Sequence, residues 1–120
     1  KDWWERSALR RGFCRKCMEH IGKAHACGCY HSSFHAHKIL IDKDSPEDDP
    51  QLYWLDVSRC QFKPKIPMHK AIARDLVTLF IDIRPSAVEI KDFCAYYLKI
   101  NTCTSYTVDT LWEAMIAEAT

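Results

Sequence analysis

The chain has 120 residues, a formal net charge of +1 from 17 basic and 16 acidic side chains, and 48% hydrophobic residues. This length fits one domain that buries roughly two thirds of its surface, and the balanced charge excludes the strongly basic field expected of a nucleic-acid-binding protein. Seven cysteines at irregular spacings indicate a reduced, cytosolic protein rather than a secreted disulfide framework.

The first predicted element is a long amphipathic helix from Trp3 to about His25. Its apolar residues recur at four-residue spacing and therefore share one face: Leu9, Phe13, Cys17 and Ile21. Gly28 is suited to end the helix. Five basic residues lie mostly off the apolar face: Arg6, Arg10, Arg11, Arg15 and Lys16. They form either a solvated face or a surface that contacts anionic headgroups or a phosphorylated glycolipid.

The same part of the chain is rich in side chains that bind zinc. These are Cys14, Cys17, His20, His25, Cys27, Cys29 and His31. A zinc module is one interpretation. However, Cys14 and Cys17 fall inside the helical pattern, and no second C-x-x-C completes a four-ligand module. The alternative is that these cysteines are small apolar core residues, and we expect no bound zinc.

Two short apolar segments predict a β-hairpin. Its strands are Lys38 to Asp42 and Leu52 to Leu55. Residues 42–50 hold five acidic residues and two prolines without periodicity, so we expect an exposed connection.

Three more helices are predicted in the second half of the chain. The first carries an apolar face made of Met68, Ile72, Leu76, Leu79 and Ile83, and Pro67 suits its first position. Ser86 and Glu89 form a capping box for the next helix, which runs to about Lys99. A short last helix follows, with Val108, Leu111, Trp112 and Met115 on its apolar face.

The segment from His31 to Leu40 aligns without a gap on the catalytic loop of protein kinases, H-R-D-L-x-x-x-N followed by two apolar residues. Two positions differ from that pattern. Ser33 stands at the catalytic Asp position, and Lys38 stands at the metal-binding Asn position. Asp56 follows an apolar strand and takes the place of the metal-binding Asp that opens D-F-G.

These features together resemble the lipopolysaccharide core kinases, the heptose and Kdo kinases, over roughly residues 8 to 98. In that family the second motif reads Asp-x-x-Arg, as Asp56-Val57-Ser58-Arg59 does here, and Ala-His precedes the Asn position in some members, as Ala36-His37 does. The resemblance implies an α+β fold, a protein-kinase-like C-terminal lobe that is mainly α-helical with a small β-hairpin at the active site.

The chain contains neither a Gly-rich phosphate loop nor a Val-Ala-x-Lys strand. We therefore expect residues 1–120 to form a single kinase-like C-terminal lobe, with the nucleotide-binding lobe absent from this chain.

The resemblance implies that Asp56 binds the Mg²⁺ of ATP, because a carboxylate at the end of a buried strand needs a cation or donors. The alternative is an Asp that caps a turn. Arg59 is expected to support the site without touching the substrate. Lys38 would repel Mg²⁺ at its own subsite but can neutralise phosphate charge, which makes it a catalytic and cofactor-binding candidate.

Ser33 cannot act as a general base, because its hydroxyl does not ionise near neutral pH. The loss of a general base costs about 10²–10⁴ in rate. His35 lies two residues further on, where many kinases place a phosphate-facing Lys, and its imidazole can assist there.

His31 and Asp75 are expected to hold the loop. His31 does so by hydrogen bonds, as in the family. Asp75, followed by Leu76, looks like the buried Asp of the family's central helix, which braces the loop backbone. The alternative is a surface Asp that forms an ion pair with Arg74.

The implied function is ATP- and Mg²⁺-dependent phosphorylation of a sugar hydroxyl, on heptose or Kdo, in the lipopolysaccharide inner core. The resemblance also implies a location at the cytoplasmic face of the inner membrane. The apolar runs fall short of the roughly 18 residues that span a bilayer, so we expect a soluble or peripheral protein. Because Ser33 and Lys38 depart from the kinase pattern, a second interpretation stays open, in which the chain is a kinase-like binding module that has lost catalysis. A zinc-bound interaction module is a third possibility. We expect no nucleic-acid partner.

Overall fold

The computed structural model describes residues 7–31, 35–36, 39–54 and 67–120. In these ranges the secondary structure consists of α1, Ser7–Ala26; β1, Ile39–Ile41; β2, Leu52–Trp54; α2, Met68–Ile83; α3, Ala87–Ile100; and α4, Val108–Ala119. Each helix and strand predicted from the sequence is present there, and the start expected at Trp3 lies outside the described residues. The architecture is helix-rich α+β.

Helix α1 buries one face in the core, through Phe13, Cys14, Cys17, Met18 and Ile21. After Ala26 the chain turns, and Gly28 has a φ of 84°. Its amide donates to the His25 carbonyl at 2.9 Å. A side chain at this left-handed φ would be strained, so glycine lets the chain leave the helix and run toward Tyr30.

Strands β1 and β2 form an antiparallel pair in which Ile39 lies opposite Trp54, Leu40 opposite Tyr53, and Ile41 opposite Leu52. Because side chains alternate along a strand, Ile39 and Leu52 point into the core. Leu40 and Tyr53 are 52% and 53% exposed on the other face.

The acidic connection between the strands packs closely on α1. A Cβ on Gly12 would lie 2.8 Å from the Glu47 carbonyl oxygen and 2.8 Å from Pro50 Cδ. Nearby, Lys16 Nζ forms an ion pair with Asp49 at 2.8 Å. Glycine is therefore required at position 12 by the close approach of another backbone.

Helix α2 begins at Met68, one residue later than predicted, because Pro67 has an extended ψ of 145° and is the N-cap. Ser86 and Glu89 form the predicted capping box of α3. Helix α1 packs on α3, α2 packs on α4, and α3 packs on α4, which produces one buried core. In the described ranges, no helix has the length and apolarity to cross a bilayer.

Candidate functional site

Asp75 lies in the middle of α2 and is fully buried. Its Oδ2 accepts a hydrogen bond from the backbone N–H of His31 at 2.9 Å and lies 2.8 Å from His25 Nε2. Its Oδ1 has no hydrogen-bond partner among the described residues. Because a buried carboxylate is costly without donors around it, these bonds fix the start of the loop segment against α2.

The surface ion pair considered for Asp75 is wrong. Arg74 instead donates from Nε to Glu118 Oε1 of α4 at 2.9 Å. Neighbouring helical residues point about 100° apart, so Arg74 faces outward while Asp75 faces the core.

His25 links this carboxylate to α3. Its Nδ1 lies 2.6 Å from the hydroxyl of Tyr97, which also accepts a hydrogen bond from Asn101 Nδ2 at 2.9 Å. Burial raises the pKa of Tyr97 above its ordinary value, so the hydroxyl stays protonated. Sequence reasoning considered His25 only as a candidate zinc ligand and gave no site role to Tyr97. The available signal was that a buried Tyr needs a hydrogen-bond partner for its hydroxyl.

His31 also makes a contact through its ring. Its Nε2 lies 3.1 Å from His20 Nε2, and the His20 ring stacks on Trp54 with centroids 3.8 Å apart. Burial lowers the pKa of His20 to about 4, and burial also lowers the pKa of His31. Both rings are therefore neutral near pH 7, so one nitrogen donates and the other accepts.

His35 and Ala36 contact the C-terminal part of α2. Asp82 Oδ2 accepts a hydrogen bond from the Ala36 N–H at 2.8 Å and lies 3.1 Å from His35 Nδ1. Sequence reasoning identified His35 but missed Asp82. The signal was its position seven residues after Asp75, about two helical turns and so on the same face.

The structure describes three of the predicted site residues, His31, His35 and Asp75, and brings all three to α2. The others, Ser33, Lys38, Asp56 and Arg59, lie outside the described residues. Their roles stay predictions.

One group of possible metal ligands is found in the described ranges. Ligand atoms of His25, His31 and Asp75 all lie within 4.8 Å of one another. Mg²⁺ prefers oxygen ligands and imidazole suits zinc, so this group does not fit Mg²⁺. His25 and Asp75 already bond to each other. The predicted Mg²⁺ ligand therefore remains Asp56.

The two helical cysteines of the zinc interpretation lie in the core. Burial raises the pKa of Cys14 to about 12, and burial raises that of Cys17 well above its ordinary value. Zinc binds the thiolate, so both thiols are poor ligands in this fold. The expectation of no bound zinc stays a prediction.

A groove of about 1010 Å³ opens between α1, the hairpin and the end of α2. Its lining includes the apolar residues Phe13 and Ile83 and the charged residues Asp42, Lys43 and Arg84. Ala36 and Asp82 also line it, so the loop segment reaches this groove.

Basic residues of α1 make intramolecular contacts. Arg10 forms an ion pair with Glu89 at 2.9 Å, Lys16 pairs with Asp49, and the Arg15 guanidinium lies 6.0 Å from the centre of the Tyr96 ring. Contact of this helix with an anionic membrane surface stays a prediction.

The described residues thus define a helix-rich α+β protein in which carboxylates of one central helix hold a histidine-containing loop. The sequence pattern of the lipopolysaccharide kinase (Kdo/WaaP) family matches residues 1–97. The chain belongs to this family, which confirms the resemblance stated above.

Comparison with solved structures supports the same fold. The structure of WaaP in complex with acyl carrier protein is similar, with a TM-score of 0.69 and 22% sequence identity over 98% of this chain and 53% of that chain. The present chain spans about half the length of that one. A comparison with curated proteins gave no match.

Proposed function

We propose that this chain is the C-terminal-lobe part of an ATP-dependent kinase that phosphorylates a sugar hydroxyl, on heptose or Kdo, in the lipopolysaccharide inner core. The observation that carries the proposal is the bond from the His31 backbone N–H to the buried Asp75. It holds the start of the segment that matches the kinase catalytic loop. Family membership supports the reaction class. The proposal includes a single lobe over residues 1–120, acting at the cytoplasmic face of the inner membrane.

Phosphoryl transfer passes through a loose transition state, so the protein mainly positions reactants and neutralises charge. Mg²⁺-ATP, when bound, supplies the phosphoryl group and a metal ion that offsets its charge. Asp56 is the residue proposed to hold the metal. Lys38 adds a positive charge close to the phosphates, and Asp75 fixes the start of the loop segment that carries Lys38.

Ser33, at the position of the catalytic Asp, limits the rate of phosphoryl transfer. A hydroxyl can orient the acceptor sugar by a hydrogen bond but cannot take its proton near neutral pH. His35 provides an imidazole two residues further on, which can assist as a donor to phosphate or as a proton acceptor. We therefore propose slow transfer that depends mainly on charge neutralisation.

The test measures transfer of labelled phosphate from ATP to lipopolysaccharide core acceptors by the intact protein, in which this lobe is joined to its nucleotide-binding lobe. Asp56→Asn should remove nearly all transfer, whereas Ser33→Ala should change the rate by less than about tenfold, because its hydroxyl only orients the acceptor.

The second part of this test restores the family pattern at positions 33 and 38. Ser33→Asp with Lys38→Asn should raise transfer by up to about 10²–10⁴. Ser33→Asp alone should gain less, because an ion pair with Lys38 would hold the new carboxylate away from the acceptor. No transfer by the wild type or the double variant, with folding intact, would favour the non-catalytic binding module.

A partner is proposed from the comparison alone. The similar WaaP structure is a complex with acyl carrier protein, and we propose that the present protein binds acyl carrier protein as well. Retention of the purified protein on immobilised acyl carrier protein, but not on a blank resin, would support this partner. Equal passage through both resins would contradict it.

A further inference from the structure

We infer that Asp82 is a positioning residue, which holds the second part of the loop as Asp75 holds its start. The inference rests on the proposed function and extends it to a residue for which the kinase motifs give no role. Its basis is that α2 contacts the loop segment through two carboxylates instead of one.

The two contacts have the same chemistry. Asp75 accepts the backbone N–H of His31 at 2.9 Å, and Asp82 accepts the backbone N–H of Ala36 at 2.8 Å. The two aspartates lie seven residues apart, about two turns of one helix face. The two anchored amides flank Ser33 in the sequence, so both sides of the acceptor-orienting position are tied to one rigid element.

Asp82 also orients the imidazole ring of His35. Its Oδ2 lies 3.1 Å from His35 Nδ1, so one carboxylate oxygen contacts two consecutive residues of the loop. Because Nδ1 faces Asp82, Nε2 lies on the opposite side of the imidazole, away from α2. The carboxylate thereby selects the orientation in which His35 meets a phosphate.

The hydrogen bond from the Ala36 N–H to Asp82 distinguishes this arrangement from an ordinary ion pair on the surface. The side chains of His35 and Asp82 are 38% and 28% exposed, and an exposed ion pair by itself contributes little. A backbone N–H bonded to a carboxylate is a charge-assisted hydrogen bond of roughly twice the usual strength. It restrains the main chain as well as the side chain.

The kinetic test compares Asp82→Ala, Asp82→Asn and His35→Ala in the intact protein, with labelled ATP and lipopolysaccharide core acceptors. Displacing a positioned group by about 1 Å can cost about a hundredfold, so Asp82→Ala should lower kcat by about ten- to a hundredfold with little change in the KM for ATP. Asp82→Asn keeps an acceptor for the Ala36 N–H and should fall between Asp82→Ala and the wild type. Asp92 is exposed on α3, and Asp92→Asn serves as the matched control at wild-type rate.

A double variant tests whether the two residues act together. If Asp82 works through His35, adding His35→Ala to Asp82→Ala should lower kcat no further, because residues that act as a unit are not additive. Fully additive losses, or an Asp82→Ala variant with wild-type kcat, would overturn the inference.

Hydrogen exchange of backbone amides, read by NMR, tests the anchoring without any activity. Asp82→Ala should speed exchange at the Ala36 amide and shift the His35 ring signals, while the His31 amide, held by Asp75, stays protected. Unchanged exchange at Ala36 would overturn the anchoring. A wild-type protein without transfer would overturn the proposed function and the kinetic role of Asp82 together. If Asp82→Ala fails to fold, Asp82→Leu, whose side chain is close in size to Asp and also lacks an acceptor, replaces it in both measurements.

Discussion

At the scale of single residues, the His20–His31 pair makes stability depend on pH. Burial lowers the pKa of His20 to about 4 from its ordinary 6.5. Between these values the unfolded chain binds more protons than the folded one, so the free energy of unfolding falls as pH falls. We expect the urea midpoint to drop between about pH 7 and about pH 5.

Two variants check the source of this drop. His20→Phe keeps an aromatic ring against Trp54 but cannot take up a proton, so its midpoint should fall less with pH. His69 is exposed on α2, and His69→Phe should keep the wild-type pH dependence. A drop of the same size in His20→Phe and in the wild type would show that other groups cause it.

Sequence reasoning located His31, His35 and Asp75 because motif spacing places them. It did not give site roles to Tyr97 or Asp82, since Tyr97 acquires its partner only when α1 packs on α3, and Asp82 only when the loop packs on α2. Hydrogen bonds between residues distant in sequence leave no periodic pattern, whereas a loop motif is contiguous in the sequence.

At the scale of elements, the contact between α1 and the acidic connection gives a second prediction. Gly12→Ala gains about 1 kcal/mol of helix propensity. However, its Cβ would lie 2.8 Å from the Glu47 carbonyl oxygen, and overpacking costs about 1–3 kcal/mol. We therefore expect a net loss of stability in urea unfolding.

Gly22→Ala is a companion variant that tests the contact of α1 with α3. Its Cβ would lie 2.7 Å from Ile100 Cγ2 and 2.9 Å from Ile100 Cβ, and the Cβ of a β-branched residue moves only with its backbone. Gly22→Ala should therefore destabilise as well. A Gly12→Ala variant more stable than the wild type would show that the connection moves freely.

Helices and strands were more predictable than the contacts between them. Apolar side chains recur at four-residue spacing in α1, and capping residues mark the start of α3, so local sequence defines both elements. The packing of α1 on α3 has no such local cause, because it depends on the shape of whole faces.

At the scale of the whole molecule, the packing of the thiols predicts the metal content. Cys14 and Cys17 lie in the core, and His25 and Asp75 bond to each other, so we expect no stoichiometric zinc in protein purified without chelator. Elemental analysis checks this. About one zinc per chain, with unfolding on chelation, would instead favour the zinc-bound module.

The hydrogen bonds around Asp75 also constrain the order of events during translation. The bond from His31 to Asp75 joins residues 44 positions apart, and that from His25 to Tyr97 joins residues 72 positions apart. Such separations delay the formation of these hydrogen bonds, because the long stretch of chain between the two residues must close first. The loop therefore leaves the ribosome well before the helices that hold it. A nascent chain arrested before Asp75 would carry the loop segment from His31 to Leu40 without the carboxylates of α2 that hold it. We expect this segment to stay accessible to proteases until α3 has been made.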